Sequence, residues 1–287
     1  MEIIGTWLNE HIFLPAIRFC LEVFLDAFNT SLGILQTEAA KTPMAFSASI
    51  VSTLRTISNN VCVPIAGLIL TYVFVYELIT MITEKNNMAE FDVSGLFTLI
   101  FKTMISILLV TNCFPITLAI FDVGQALVNG AIGHRPPTLT MASVFTALQT
   151  DIGSDFGKGL IVMLFSFLAM LIGFIACALI YLVAWSRIIT ILIYISVAPI
   201  PFSTFMGKDW IGQIGQNYLK NLMALALQGF LMLVCMIIYG GLVTAVAGTI
   251  AAQGALMGIV LLLVCMFVCV KSLMSCLSLA KSIFGAM

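Results

Sequence analysis

GLIVMLFSFLAMLIGFIACALIYLVAW, residues 159–185, is the stretch whose reading decides the fold. It holds no Asp, Glu, Lys, Arg or His, and its one hydroxyl before Tyr181 is Ser166. Coiled as an α-helix it is about 40 Å long, more than the roughly 30 Å hydrocarbon core of a bilayer. Polar and apolar residues do not alternate along it, so a strand of a membrane barrel does not fit. The chain therefore crosses lipid as helix, where every backbone group finds its partner within the segment.

Outward from this run, comparable ones occupy 61–83, 96–120, 187–206, 219–246 and 254–273. Composition agrees: 61% of the 287 residues are hydrophobic and 9% charged, against about a quarter charged in soluble domains. These runs predict an all-α polytopic membrane protein with about five or six spanning helices, joined by amphipathic interfacial helices. A net charge of -1 offers no general attraction for nucleic acid or acidic lipid. The first nine residues contain Glu2 and no Lys or Arg, and no cleavage site follows them, so no removable signal is expected. Eight cysteines form no CxxC pair and no Cys/His cluster. Cys265 and Cys269, on one helix face, read as small apolar filler. Neither a metal nor a cofactor is expected.

Four regions follow from the pattern: amphipathic N-terminal helices in 1–60, a first pair of spans in 61–120, a central loop in 121–158, and a C-terminal bundle in 159–287. In the first, Ile12, Phe13, Ile17, Cys20, Phe24 and Phe28 recur at helical spacing, opposite Arg18, Glu22 and Asp26. That helix is expected to lie in the membrane interface or against partner subunits. Thr42-Pro43 reads as an N-cap with proline at the first helical position, opening a helix that ends near Ser58-Asn59-Asn60.

Few residues carry candidate chemistry. Glu77, in the C-terminal third of its run, is either an interfacial carboxylate or a group lining a polar passage. Lys102 sits near the start of the next run, where its side chain can reach the boundary, and Pro115 predicts a kink. The central loop carries His134-Arg135-Pro136-Pro137, followed by apolar residues at helical spacing from Met141 to Phe156. Trp185 beside Arg187 reads as a membrane boundary. Pro199 and Pro201, one residue apart, cannot continue a regular helix, and broken backbone at membrane depth needs protein or a water-filled cavity around it. They point to a contact or a pore.

With six spans, nine of the Lys and Arg residues fall on one side and Lys85, Lys102 and Arg187 on the other. The positive-inside rule then places the N-terminus, central loop and C-terminus in the cytoplasm. Nucleotide-binding, metalloprotease and nucleophile-elbow motifs are all missing, and no run carries paired carboxylates. An enzyme is not expected.

The order of features resembles the TrbL-like family of polytopic inner-membrane subunits in conjugative type IV secretion systems. It is carried by an amphipathic start, two spans, a helical central loop, the Trp185/Arg187 boundary, the Ala198-Pro199 break leading to Lys208-Asp209-Trp210, and two further spans. The size is most similar to versions on mobile elements of Gram-positive bacteria, which implies a multi-pass protein of the cell membrane. The resemblance implies a homo-oligomeric channel subunit without catalysis, working beside separate ATPases and a coupling protein. Single-stranded DNA with an attached relaxase would pass it without strong direct binding. In the family the central loop usually faces away from the cytoplasm, opposite to the charge count, so orientation stays open. The residues expected to build or line the passage are Trp185, Arg187, Pro199, Pro201, Glu77 and Arg135. The alternatives are a small-solute or ion transporter, with Glu77, Lys102 and the Pro199/Pro201 break as its site, and a non-conducting membrane scaffold.

Overall fold

The computed structural model describes residues 6–84, 93–132, 149, 152, 155–252 and 254–286. Every regular element among them is helical. A π-helical turn, Asn9–Phe13, leads into α1 (Leu14–Ala39). Then come α2 (Pro43–Phe46) and α3 (Ala48–Ile57), a second π turn (Ser58–Cys62), and α4 (Val63–Glu84). The remaining helices are α5 (Val93–Thr111), α6 (Cys113–Ile132), α7 (Phe156–Val197), α8 (Pro199–Ser203), α9 (Asp209–Ala252) and α10 (Ala255–Phe284). Among the described residues six helical stretches are long and apolar enough to cross a membrane: Ala48–Thr83, Ser94–Thr111, Cys113–Ala131, Phe156–Val197, Trp210–Val243 and Leu256–Phe284. The all-α polytopic expectation holds, but the six are not the six that the apolar runs outlined.

Prolines set most of the differences. Both π turns end two residues before one, Pro15 and Pro64. A proline ring meets the carbonyl four residues back, and widening the turn to a five-residue step moves that carbonyl aside. In the wide turns Leu14 N–H donates to the Asn9 carbonyl and Val63 N–H to the Ser58 carbonyl. So the helix opened at Ala48 does not stop at Ser58-Asn59-Asn60; it passes through the bulge into α4. Thr42 does cap, its hydroxyl accepting from Ala45 N–H at 3.2 Å. That helix lasts one turn before Ser47 breaks it and caps the next, accepting from Ile50 N–H at 3.3 Å.

The run 96–120 is likewise interrupted. Pro115 has no N–H for the Thr111 carbonyl, and the helix bends at Asn112, between α5 and α6. Asn112 N–H still donates to Leu108 and Ile116 N–H to Asn112, both at 3.1 Å, so the backbone is kinked rather than ended. α6 then continues to Ile132 and takes the first part of the predicted central loop into helix. The His134–Pro137 break, Arg135 and most of the periodic segment after Met141 lie outside the described residues.

The opposite holds at Trp185. α7 runs from Phe156 through Trp185, Ser186 and Arg187 to Val197 without interruption, about 63 Å of helix. The two runs drawn on either side of Arg187 are one element, and the expected boundary is not a helix end. Arg187 is buried, so it cannot count as a loop charge.

The chain divides into two compact units. One contains the described parts of Met1–Ala40, Val128–Trp185 and Leu231–Cys276; the other contains Lys41–Leu127, Ser186–Phe230 and Leu277–Met287. In the first unit α1 buries Ile17, Cys20, Leu21, Phe24, Leu25, Phe28, Ser31 and Leu35 on a single stripe. Phe24 lies against Gly173 of α7, where any added Cβ would overlap its ring. Phe28 packs on Tyr239 of α9 with centroids 5.7 Å apart. α1 thus docks its apolar stripe on helices of its own chain. In the second unit Val51, Phe114, Phe121, Ile188, Ile191, Ile195, Leu222 and Leu225 form one core. Ala66, Val110, Cys113, Ala198 and Phe202 form a neighbouring one.

Candidate functional site: a buried joint at the double proline

The chain Ser196-Val197-Ala198-Pro199-Ile200-Pro201-Phe202 ends α7 and starts α8. Ala198 keeps helical angles (φ -47°, ψ -40°) and its N–H turns to the Ile195 carbonyl at 3.4 Å. Pro199 then occupies the first position of α8, where a missing N–H costs nothing. The two prolines therefore produce a tightened joint rather than an open break. Ser203 and Thr204 hydroxyls donate to the Ile200 and Pro201 carbonyls at 2.6 and 2.8 Å, and the Pro201 carbonyl also accepts the Thr204 N–H at 3.2 Å. Ala198, Pro199, Phe202 and Ser203 are all buried, and α8 packs against α4 and α5. Irregular backbone at this depth is covered by the chain itself.

Long-range contacts brace the joint. Glu77 of α4 is 3% exposed, and its Oε1 accepts the backbone N–H of Lys208, one residue before α9. A carboxylate there meets the positive end of the α9 dipole as well as an N–H with no partner inside the helix. Tyr218 of α9 stacks on Tyr194 of α7, with centroids 5.7 Å apart and planes at 17°. Its O–H donates to the Tyr194 carbonyl at 2.6 Å, and it meets Phe202 edge-on at 5.5 Å. Gly215 brings the α9 backbone so close to α8 that a Cβ would stand 2.8 Å from the Pro201 carbonyl oxygen and 3.1 Å from Phe205 Cα. Thr103 of α5 adds a contact to the Met206 sulfur at 3.2 Å.

Of the residues singled out from sequence, the structure brings Glu77, Pro199 and Pro201 to this one joint. Glu77 is buried inside the unit and links α4 to the start of α9. Lys102 points outward from α5 and does not join it. Arg187 is buried within the same unit, one residue before the core position Ile188. Trp185 belongs to the other unit, is 59% exposed, and pairs with Tyr181 at 6.2 Å. Sequence reasoning missed Tyr194, Tyr218 and Gly215, and named Lys208 only as part of the Lys208-Asp209-Trp210 feature. Among the described residues no three His, Cys, Asp or Glu side chains converge to hold a metal ion. The joint positions α4, α7, α8 and α9 against one another.

A family described as TrbL/VirB6 plasmid conjugal transfer like protein matches residues 28–199, more than half of the chain. The chain belongs to this family. The matched stretch starts inside α1 and ends at Pro199, so it includes the kinked α5–α6 rod, the whole of α7 and the first proline of the joint. α9 and α10 lie beyond it. The curated proteins and the solved structures compared with the chain gave no match. This TrbL/VirB6-like chain is accordingly a multi-pass cell-membrane protein of the conjugal-transfer type. The bilayer and other subunits of a transfer system are its surroundings.

Proposed function

We propose that the chain is a channel-forming subunit of a conjugative type IV secretion machine, several copies of which surround a passage for single-stranded DNA and its attached relaxase. Family membership over residues 28–199 is the observation that carries this reading. In it the chain performs no catalysis, and energy comes from separate ATPases and a coupling protein. Pro199, Pro201 and Glu77 hold the helices of one unit in place, Arg187 and Trp185 serve packing, and the segment around Arg135 between α6 and α7 gates the passage. The joint favours this over an ion-coupled transporter, because Glu77 is already engaged by the Lys208 N–H and Lys102 stands apart from it. Proton- and ion-coupled pumps keep ionisable groups inside their spans for the transported ion.

In-frame deletion of the gene in a donor strain tests the reading. Transfer is expected to fall to background while growth and solute uptake stay normal, with recovery on complementation. Persistent transfer, or a defect in uptake of a solute, would remove the proposal.

A further inference from the structure

The outward face of α1 is mostly polar from Arg18 onward, with exposed Phe19 standing among its polar residues. Arg18, Glu22, Asp26, Thr30, Gly33 and Thr37 are exposed at steps of three and four residues, one continuous stripe opposite the buried one. From Arg18 to Thr37 it extends about 29 Å, close to the thickness of a bilayer core.

Contacts within the unit fix the depth of this stripe. Phe13 packs on Phe156, Asn9 lies against Gly159, Phe24 against Gly173, and Ser31 beside Cys177. From Phe13 to Ser31 residue numbers rise together on both helices, so α1 runs parallel to the first part of α7 and almost in step with it. Arg18 to Thr30 then stand alongside the middle of the run 159–185, which contains no charged residue. At that level the exposed side chains of α7 are apolar, among them Phe167, Leu168, Leu171, Phe174 and Ile175. One unit thus presents a lipid-compatible surface and a charged surface at the same depth.

Hydrocarbon against the α1 stripe is ruled out by the cost of solvating ionisable groups in it. We infer that α1 crosses the membrane beside α7 and that its polar stripe lines the aqueous passage of the assembled channel. The stripe suits water better than a protein partner. Arg18 Nε and Glu22 Oε1 already pair with each other at 2.7 Å, and Thr37 donates to its own Ile34 carbonyl at 2.8 Å. Their side chains remain 59% and 47% exposed in the case of the ion pair, which leaves room for a hydration shell. Glu22 and Asp26 against one arginine also give a wall that does not grip phosphates, since tight phosphate binding needs clustered cations. The inference deepens the channel reading and rests on it for the source of the water.

Single cysteines at Asp26 and Thr30 on the stripe, and at Leu168 and Ile175 on α7, test it in the full chain with native cysteines replaced, in donor cells carrying the whole transfer system. A charged, membrane-impermeant thiol reagent is expected to modify Asp26→Cys and Thr30→Cys at least tenfold faster than Leu168→Cys and Ile175→Cys. Equal, slow rates at all four positions would overturn the inference. So would efficient copy-to-copy disulfide formation through Asp26→Cys without labelling, which would put a second copy on the stripe. Should the cysteine-free chain fail to accumulate, Asp26→Leu with Thr30→Leu in the native chain gives the second readout: normal membrane levels with transfer lowered at least tenfold, against unchanged transfer if the inference is wrong. Failure of the labelling contrast in cells whose transfer still depends on the gene leaves the channel reading standing.

Discussion

Replacing Glu77 tests the joint most directly. Its carboxylate is buried and accepts the Lys208 N–H at the start of α9, a partner 131 residues away in sequence. Glu77→Ala removes a part-buried hydrogen bond to an acidic acceptor, worth about 1.5–3 kcal/mol. The interaction with the α9 dipole adds about 0.3–1 kcal/mol. The expected loss is about 2–4 kcal/mol, or roughly 30- to 900-fold in the folding equilibrium. Glu77→Gln keeps an oxygen at the same place and gives up only the charge, so it should cost about 1 kcal/mol. Unfolding of the purified chain in mixed detergent micelles, followed by loss of helical circular dichroism, measures both. An alanine variant within about 0.5 kcal/mol of wild type would refute the bracing role. So would a glutamine variant as damaged as the alanine one, because geometry would then count for nothing. In donor cells Glu77→Gln should retain plasmid transfer, whereas an ion-coupling carboxylate would not tolerate the change.

Tyr218→Phe should lose about 1–2 kcal/mol in the same unfolding assay through the missing O–H donor, while Tyr194→Phe, whose backbone carbonyl is the acceptor, keeps that bond. Gly173→Ala would put its Cβ into the Phe24 ring and should cost about 1–3 kcal/mol; Phe24→Leu in the same chain should restore part of it, measurable as a double-mutant coupling. Gly215→Ala should cost a similar amount, about 1–3 kcal/mol, by pressing on the Pro201 carbonyl and Phe205 backbone, and no neighbouring side-chain truncation should rescue it.

Pro115, Pro199 and Pro201 were legible in the sequence as disturbances, though not as what each disturbance would be, whereas Pro15 and Pro64 were not singled out. Pro15 and Pro64 widen a turn, Pro115 bends a helix, and Pro199 starts one, because the neighbouring carbonyls are free to shift by different amounts. Trp185 and Arg187, read as the end of one apolar run, stand inside a single helix. A charge in an apolar run marks a boundary only if it reaches water, and Arg187 is instead buried while the backbone ladder continues past it. Of the joint, Glu77, Pro199 and Pro201 were visible as unusual residues. Tyr194, Tyr218 and Gly215 were not, since each is ordinary in its own segment and acquires a role only through a distant neighbour.

By itself the sequence determined the solvent and the secondary structure. Runs without charge as long as 159–185 require lipid, and lipid requires helix, since no water is present to satisfy an unpaired backbone group. It also determined that α1 has a polar side and an apolar side. Only the tertiary structure decided what each side meets. Periodicity assigns residues to a face and gives no depth or direction; the pairing of Phe24 with Gly173 supplies the depth, and the order of contacts from Phe13 to Ser31 supplies the direction. The same holds for Glu77: a carboxylate in an apolar helix must find a partner, but which partner depends on how α4, α8 and the start of α9 come together.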